Sequence, residues 1–239
     1  MHLPRVWETF LNDGFDIGTF HKDLDGFLSR FETIIPEPSL IFQVFREMGP
    51  AEVRCVLFGE DPYPRRSSAC GIAFWDKEVE DWQQKTNGNA LKNILKALLI
   101  YKGWADYQTD LDTCRKIAGD KRIKSPAELF RHWLDQGVFL VNTSLTFSGK
   151  KDKAEHFRFW KPFFDNLIER LNQRMPSPLY VLWGNHAGNW KPKIEESIDD
   201  SGKIIRQSHP TFAHQFLDKN HVRYSPFKEL SRKTGINWL

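Results

Sequence analysis

Four short apolar runs alternate with longer segments along the 239-residue chain. The runs cover residues 53–58, 138–142, 179–183 and 203–207; few polar residues interrupt the first three, and the fourth is centred on Ile204 and Ile205. Continuous apolar runs of this length are typical of parallel strands that are covered on both faces. The segments between them are long enough for crossover helices. The pattern therefore predicts an α/β fold, a three-layer sandwich with a central four-stranded, mostly parallel sheet flanked by helices.

Apolar residues at helical spacing predict the helices around this sheet. Residues 20–48 hold two such patterns, and a third begins near Asn89, which is placed to cap it. Residues 76–88 are polar, as is typical of a loop. The other predicted helices cover residues 125–136, 157–171 and 223–232.

The clearest helix start is at Ser125, because Pro126 follows at the first helical position and Glu128 completes the capping pattern. Gly137 marks the end of this helix, directly before the second strand. Residues 103–124 carry too weak a pattern for a prediction.

The length and composition favour a single domain over residues 1–239, with residues 1–50 as an N-terminal helical packing segment. No apolar run approaches the roughly 18 residues of a membrane span, and the N-terminus lacks a signal-peptide pattern. The three cysteines form no C-x-x-C pair, so a reducing compartment fits best. We therefore expect a monomer without a membrane partner, located in the cytoplasm, or in the nucleus of a eukaryotic host.

The net charge of +3 permits nucleic-acid binding but does not require it. Basic clusters lie at residues 65–66, 121–124 and 150–153. Such clusters are most often solvated surface. The first and the last follow predicted strand ends, which makes them the better candidates for DNA contacts.

Polar side chains follow each predicted strand. Asp61, Asn142, the pair Asn185 and His186, and His209 all lie at or just beyond a strand's carboxyl end. Because these ends share one edge of a parallel sheet, the groups are expected to converge on one cleft. Two prolines restrict the loop that carries Asp61, so that loop is expected to be rigid.

Neither of the common phosphate-binding glycine motifs is present, and the histidines lack the H-E-x-x-H spacing of a zinc site. We therefore expect neither a cofactor nor a metal.

Several motifs, in order, carry a resemblance to a known family. They are G-E-D-P-Y-P (59–64), the pair Gly71 and Phe74, V-F-L-V-N-T-S-L-T (138–146), L-W-G-N-H-A (182–187) and H-P (209–210). From about residue 50 to Trp238 the chain resembles uracil-DNA glycosylase family 1. The resemblance implies the same fold, a four-stranded parallel sheet between helices.

The resemblance also implies roles for individual residues. Asp61 stabilises the positive charge that develops on the sugar and orients water, and His209 hydrogen-bonds the base O2. Asn142 reads the uracil edge, Tyr63 excludes the thymine methyl group and Phe74 stacks on the base. Read one at a time, each residue also has a purely structural alternative, such as a turn for Asp61.

The base must be flipped out of the helix or come from single-stranded DNA. Loop serines can donate to DNA phosphates. Phe212 is a candidate wedge into the duplex. The residues expected to contact DNA are Pro64, Arg65, Ser67, Ser144, Lys150, Ser208, Thr211 and Phe212. Further expected partners are a proteinaceous inhibitor or a replication protein.

The chain departs from the family pattern at several points. Glu60 stands where the common motif has glutamine, and Pro64 where it has histidine. Glu60 adds a second carboxylate beside Asp61 and the DNA backbone, which can raise one pKa or alter how the base is held, while its backbone N–H remains available to the base. The H-P loop, 209–216, is shortened, and 83–89 replaces a proline-rich loop. The sequence therefore leaves undecided which base is preferred and how the DNA duplex is bound.

The leading hypothesis is a monofunctional glycosylase that removes flipped-out uracil from DNA and leaves an abasic site. The first alternative is a glycosylase for another modified or damaged pyrimidine, which Glu60 and the altered loops motivate. The second is a DNA-binding or partner-binding module that has lost catalysis, in which Asp61→Asn leaves function unchanged. An unrelated enzyme on the same kind of sheet is a residual alternative.

Overall fold

The computed structural model describes residues 2–84, 88–198 and 201–239. Its strands are β1 (Cys55–Gly59), β2 (Val138–Asn142), β3 (Leu179–Trp183) and β4 (Ile204–Gln207). They form one sheet in the order β2-β1-β3-β4, and each neighbouring pair is parallel. The predicted four-stranded sheet is thus confirmed, and its carboxyl ends share one edge.

Helices precede, connect and follow the strands. They are α1 (Arg5–Leu11), α2 (Ile17–Leu28), α3 (Gln43–Glu47), α4 (Asn89–Tyr101), α5 (Leu111–Asp120), α6 (Pro126–Asp135), α7 (Lys153–Asn172), α8 (Gly184–Gly188), α9 (Lys191–Glu195), α10 (Ala213–Phe216) and α11 (Pro226–Thr234). Short 3₁₀ helices cover Pro38–Leu40, Pro50–Glu52 and Ser201–Lys203.

Aromatic side chains fill the space on both faces of the sheet, since successive strand residues point to opposite sides. On one face, the ring of Phe139 stacks on Trp7 of α1 at 5.2 Å. On the other, Trp183 meets Phe216 of α10 at 5.2 Å and Phe227 of α11 at 6.1 Å. The sheet is therefore covered by helices on both faces, which is the predicted three-layer sandwich.

One contiguous cluster of buried apolar side chains runs from Leu3 to Trp238. It includes α1 to α3, so the N-terminal segment packs onto the same core as the sheet. The Trp7 indole donates a hydrogen bond to the carbonyl of Met48 at 2.8 Å, which holds the ends of this segment together. No helix within the described residues is long and apolar enough to cross a bilayer.

Two details of the predicted helices are wrong or incomplete. Asn89 is the first residue of α4 and does not cap it, because Gly88 holds the capping position. Helix α5 lies in the stretch without a prediction, where the buried residues include the charged Arg115. A helix that buries a guanidinium lacks a clear apolar stripe. In the predicted loop 83–89, residues 85–87 lie outside the described residues.

Candidate active site

The site is built at the carboxyl edge of the sheet. The loop after β1 packs against residues 71–74, and the Ala73 N–H donates to the carbonyl of Leu140 in β2 at 3.0 Å. Gly71 has φ of +77°, and a Cβ there would lie 2.0 Å from the Leu40 carbonyl oxygen. Only glycine therefore allows this segment to approach so closely.

These loops enclose a cavity of about 200 Å³ at the end of β1. It is lined by eight of the predicted site residues: Glu60, Asp61, Tyr63, Pro64, Phe74, Asn142, His209 and Thr211. The cavity also contacts Ala69, Cys70, Ile72 and Ala90, which the sequence did not single out. The structure thus brings together the carboxylate, the amide and the imidazole that follow three different strands.

Asn142 ends β2 beside Gly59, its register partner at the end of β1. The side chain of Asn142 is buried, and its amide makes no hydrogen bond to the described residues. A Cβ on Gly59 would lie 2.1 Å from Asn142 Oδ1. The amide therefore occupies space that only a glycine leaves open, with its donors and acceptor available to a bound molecule.

A lysine joins the two acids of the loop. Lys153 Nζ, at the start of α7, lies 2.7 Å from Glu60 Oε1 and 3.1 Å from Asp61 Oδ2. His186 Nδ1 lies 3.8 Å from the same Glu60 oxygen. The carboxylates, the ammonium and the imidazole therefore form one electrostatic cluster at the cavity wall.

The two carboxylates titrate differently. Burial raises the pKa of Asp61, and the adjacent Lys153 offsets this only in part. Burial also acts to raise the pKa of Glu60, but the hydrogen bond and charge of Lys153 outweigh it, so that pKa is lowered. The pKa of Lys153 is raised, because these contacts exceed the opposing effect of its own burial.

His209 is held as a neutral ring with a defined tautomer. Burial lowers its pKa, against the opposing charge of Glu60. The Thr211 backbone N–H donates to His209 Nδ1 at 3.1 Å. Because Nδ1 accepts this bond, the ring proton is on Nε2. His209 can therefore donate one hydrogen bond from Nε2 without carrying a charge.

Tyr63 and Phe74 form an aromatic wall. The Tyr63 hydroxyl donates to the Phe74 carbonyl at 3.2 Å, and burial raises the pKa of Tyr63, so the hydroxyl stays protonated. Phe74 has φ of +66°, which is strained for a bulky residue. Its ring lies 5.3 Å from Trp183 and 6.1 Å from His209. The strained backbone aims this ring toward the cavity.

The predicted convergence on one cleft is incomplete at the third strand. Asn185 lines a neighbouring cavity of about 390 Å³, together with Ser208, Phe212 and His209, which lines both cavities. His186 is bonded to Thr143, with 2.7 Å between its Nε2 and the hydroxyl oxygen. Neither Asn185 nor His186 lines the first cavity, because helix α8 begins at Gly184, immediately after β3.

The other predicted DNA contacts are spread over the surface. Lys150 and Ser67 are exposed. The Arg65 guanidinium is bonded to Asp76 at 3.0 Å and to Glu78 at 2.9 Å, so two acids of this chain already engage it.

The structure does not bring Ser144 to the surface. Ser144 is fully buried, and its hydroxyl donates to the Thr146 carbonyl at 2.8 Å. In this conformation the side chain has no surface to offer a phosphate.

In the sequence, Lys153 is marked only as part of the basic cluster at residues 150–153. Its position after a strand end was the available signal, but nothing in the sequence paired it with Glu60 and Asp61. One group of possible metal ligands occurs in the described residues, namely His2, Glu8 and His21, whose ligand atoms lie within 4.8 Å of one another. None of the three lines either cavity described above.

Comparisons with known proteins agree with the fold and with the family that the sequence resembles. The family model for the "Uracil DNA glycosylase superfamily" matches residues 46–230. The uracil-DNA glycosylase of Exiguobacterium sibiricum is 31% identical over 215 residues, covering 87% of this chain and 85% of that protein. A crystal structure of the wild-type UNG from Nitratifractor salsuginis has a TM-score of 0.71 and 25% identity, covering 89% of this chain and 86% of that one. A variant of the mimivirus UNG in complex with UGI shares the fold, with a TM-score of 0.62 and 23% identity over 95% of this chain and 72% of that one.

Proposed function

The chain belongs to the uracil DNA glycosylase superfamily, and we propose that it hydrolyses the N-glycosidic bond of a flipped-out uracil in DNA, leaving an abasic site for base excision repair. One observation carries this proposal: Asp61, Asn142 and His209 line a single cavity of about 200 Å³ at the edge of the sheet. The reaction develops positive charge on the sugar and negative charge on the base. The cavity offers a group for each.

Asp61 faces the sugar in this proposal. Its carboxylate stabilises the cationic sugar and orients the attacking water. Burial makes this electrostatic contribution larger than it would be in bulk water. The same burial raises the pKa of Asp61. Activity is therefore expected to fall on the acid side as this carboxylate takes up a proton.

His209 stabilises the departing base. Its Nε2–H donates to O2, where negative charge accumulates as the bond breaks. The Thr211 N–H fixes the required tautomer by donating to Nδ1. A neutral donor in a protected site strengthens its hydrogen bond as the acceptor gains charge, and needs no proton transfer.

The remaining cavity residues select the base. The Asn142 amide accepts from uracil N3–H and donates to O4, a pattern opposite to that of cytosine. Tyr63 stands against C5 and excludes the thymine methyl group. Phe74 stacks on the ring. The backbone N–H of Glu60 remains available to the base.

DNA approaches along the loops that surround the cavity. We assign backbone contacts to Pro64, Arg65, Ser67, Lys150, Ser208 and Thr211, with Phe212 as the wedge. Arg65 must exchange its ion pairs with Asp76 and Glu78 for a phosphate. We leave Ser144 out of this set, because its hydroxyl is buried and bonded within the chain.

The test is base release from a labelled oligonucleotide that contains one uracil. Incubation followed by alkali is expected to cut the strand at that position. The control Asp61→Asn is expected to lose about 10²-fold or more in single-turnover rate while still binding DNA. Failure of the unaltered protein to cut single- and double-stranded substrates alike would contradict the proposal.

Glu60, which stands where the common family motif has glutamine, favours a second candidate function, that of a glycosylase for another modified pyrimidine. Mass spectrometry of the bases released from a panel of modified DNAs decides between them. Uracil as the preferred product supports the first proposal, and Glu60→Gln is the matched variant that shows whether residue 60 sets the preference.

The partners and location remain part of the proposal. DNA is the expected substrate. An inhibitor protein that covers the DNA-binding surface of this chain is a further expected partner, in keeping with the mimivirus UNG in complex with UGI. A replication protein is another proposed partner. We propose that the protein acts as a monomer in the cytoplasm, or in the nucleus of a eukaryotic host, where its free cysteines stay reduced.

A further inference from the structure

Lys153 is the cation closest to the proposed catalytic carboxylate among the ion pairs of the described residues. It is the first residue of α7, and its ammonium bridges the carboxylates of Glu60 and Asp61 at 2.7 and 3.1 Å. The side chains are 35% exposed for Lys153 and 19% exposed for Asp61. A charge pair that is shielded in this way is weakened less by salt than one on the open surface.

The bridge restores a charge balance that Glu60 disturbs. Glutamine at position 60 would leave the loop with one negative charge, that of Asp61. Glutamate adds a second, which would raise the proton affinity of Asp61. The ammonium of Lys153 cancels the added charge. The three groups together then carry a net charge of −1, the same as a lone aspartate beside a glutamine.

We propose that Lys153 is a positioning residue for Asp61 and the charge partner of Glu60, so that residues 60 and 153 act as one unit in base excision. This inference rests on the proposed function. It also gives Glu60 a role, because one oxygen of its carboxylate is engaged by Lys153 of α7.

Other titratable groups face the same carboxylates. Glu60 lies beside Asp61 on the loop, while His186 of α8 and His209 after β4 add positive charge near Glu60 only when they are protonated, at acid pH. Burial lowers the pKa of both histidines, so both rings are neutral near pH 7. Lys153 is therefore the group that supplies positive charge to this cluster at neutral pH.

The test compares pH profiles of single-turnover base release for Lys153→Met, Glu60→Gln and the double variant. Loss of the ammonium raises the pKa of Asp61 further, so Lys153→Met is expected to lose about tenfold in rate on the acid side, with its acid limb moved to higher pH. Glu60→Gln moves the limb to lower pH. The double variant is expected to recover most of the loss, to within about threefold of the unaltered protein.

Matched controls separate the charge coupling to Asp61 from a general effect of removing a positive charge near the DNA. Lys153→Arg keeps the charge and is expected to retain the pH profile, and Lys151→Met removes an exposed charge from the same loop with no effect on the limb. An unchanged acid limb in Lys153→Met, with a raised KM that Glu60→Gln does not relieve, would mean that Lys153 contacts a DNA phosphate instead. That outcome overturns the inference.

A second measurement does not depend on activity. Carbon-13 NMR of aspartate carboxyl groups, with Asp61 assigned from Asp61→Asn, follows the titration of this residue in the free protein. The Asp61 resonance is expected to titrate at higher pH in Lys153→Met and to return in the double variant. If no variant releases uracil but this shift occurs, the proposed function fails and the charge coupling stands.

Discussion

Gly59 has no side chain at the point where the Asn142 amide crosses the end of β1. A Cβ there would lie 2.1 Å from Asn142 Oδ1 and 2.8 Å from the Cβ of Ala73. Ala73 is buried and has no free space into which to move, so the Asn142 amide must shift into the cavity that it lines. The glycine of the motif is therefore required by the position of the amide, in addition to ending the strand.

Gly59→Ala is expected to displace Asn142 and to destabilise the protein by about 1–3 kcal/mol through overpacking. Uracil release is expected to fall by about tenfold or more, because the displaced amide no longer matches the base edge. Uracil excision and thermal unfolding measure the two effects.

Gly26→Ala is the matched control, because a Cβ at that position in α2 meets nothing within 4 Å. It is expected to leave excision unchanged and to stabilise the helix by about 0.5–1 kcal/mol. Equal activity in the two variants would show that Gly59 does not hold the amide.

At the scale of the element, the first turn of α7 carries two side chains with different roles. Lys153 bridges the acids of the site, while His156 is buried and bonded to the hydroxyls of Thr146 and Ser148 at 2.8 and 2.9 Å. Its ring also stacks on Phe31 at 4.8 Å. His156 therefore ties α7 to the loop after β2 and to the segment after α2.

Burial lowers the pKa of His156 from 6.5 to about 4. Between these values the unfolded chain binds a proton that the folded protein does not, so stability falls as the pH drops below about 6.5 and levels off near 4. The loss between pH 7.5 and 4.5 is expected to be about 2–3 kcal/mol. Chemical denaturation at the two pH values measures it.

The comparison with His156→Gln isolates this contribution, because the other histidines act in both proteins. The variant is expected to show the smaller pH dependence, whatever its absolute stability. His214→Gln removes an exposed histidine and is expected to keep the full dependence. An equal loss of unfolding free energy between pH 7.5 and 4.5 in His156→Gln and the unaltered protein would show that His156 does not cause this pH dependence.

Local signals account for which elements were predicted. The sequence predicts the start of helix α6 at Ser125 because it contains the residues of a capping box. The structure contains both hydrogen bonds of that box, between Ser125 and Glu128. Helix α5 was not predicted, although Asp110 caps it through the Thr113 N–H. Its buried Arg115 donates to the Trp82 carbonyl at 3.0 Å, a partner distant in the chain. Such a contact leaves no periodic apolar pattern.

At the scale of the whole molecule, the carboxyl edge of the sheet carries an exposed aromatic beside the site. Phe212 is 52% exposed and lies on the loop between β4 and α10. Phe212→Ala is expected to lower uracil release from duplex DNA by about tenfold or more, because an apolar wedge offsets the cost of unstacking the base. Release from single-stranded DNA, which needs no wedge, is expected to change by less than about twofold.

Met175→Ala is the control, since Met175 is 97% exposed and precedes β3 at the opposite edge of the sheet. It is expected to leave both rates unchanged. An equal loss on duplex and single strands in Phe212→Ala would point to a contact with the DNA strand itself instead of a wedge.

The sequence by itself determined the α/β class, the four strands and the edge at which Asp61, Asn142 and His209 meet, because apolar periodicity and strand ends are local properties. Only the tertiary structure decided which of the polar groups share a cavity: Asn185 lies in the neighbouring one, and Ser144 is buried. It also joined Lys153 to Glu60 and Asp61. Ion pairs between residues almost a hundred positions apart depend on how the loops pack, which no local pattern records.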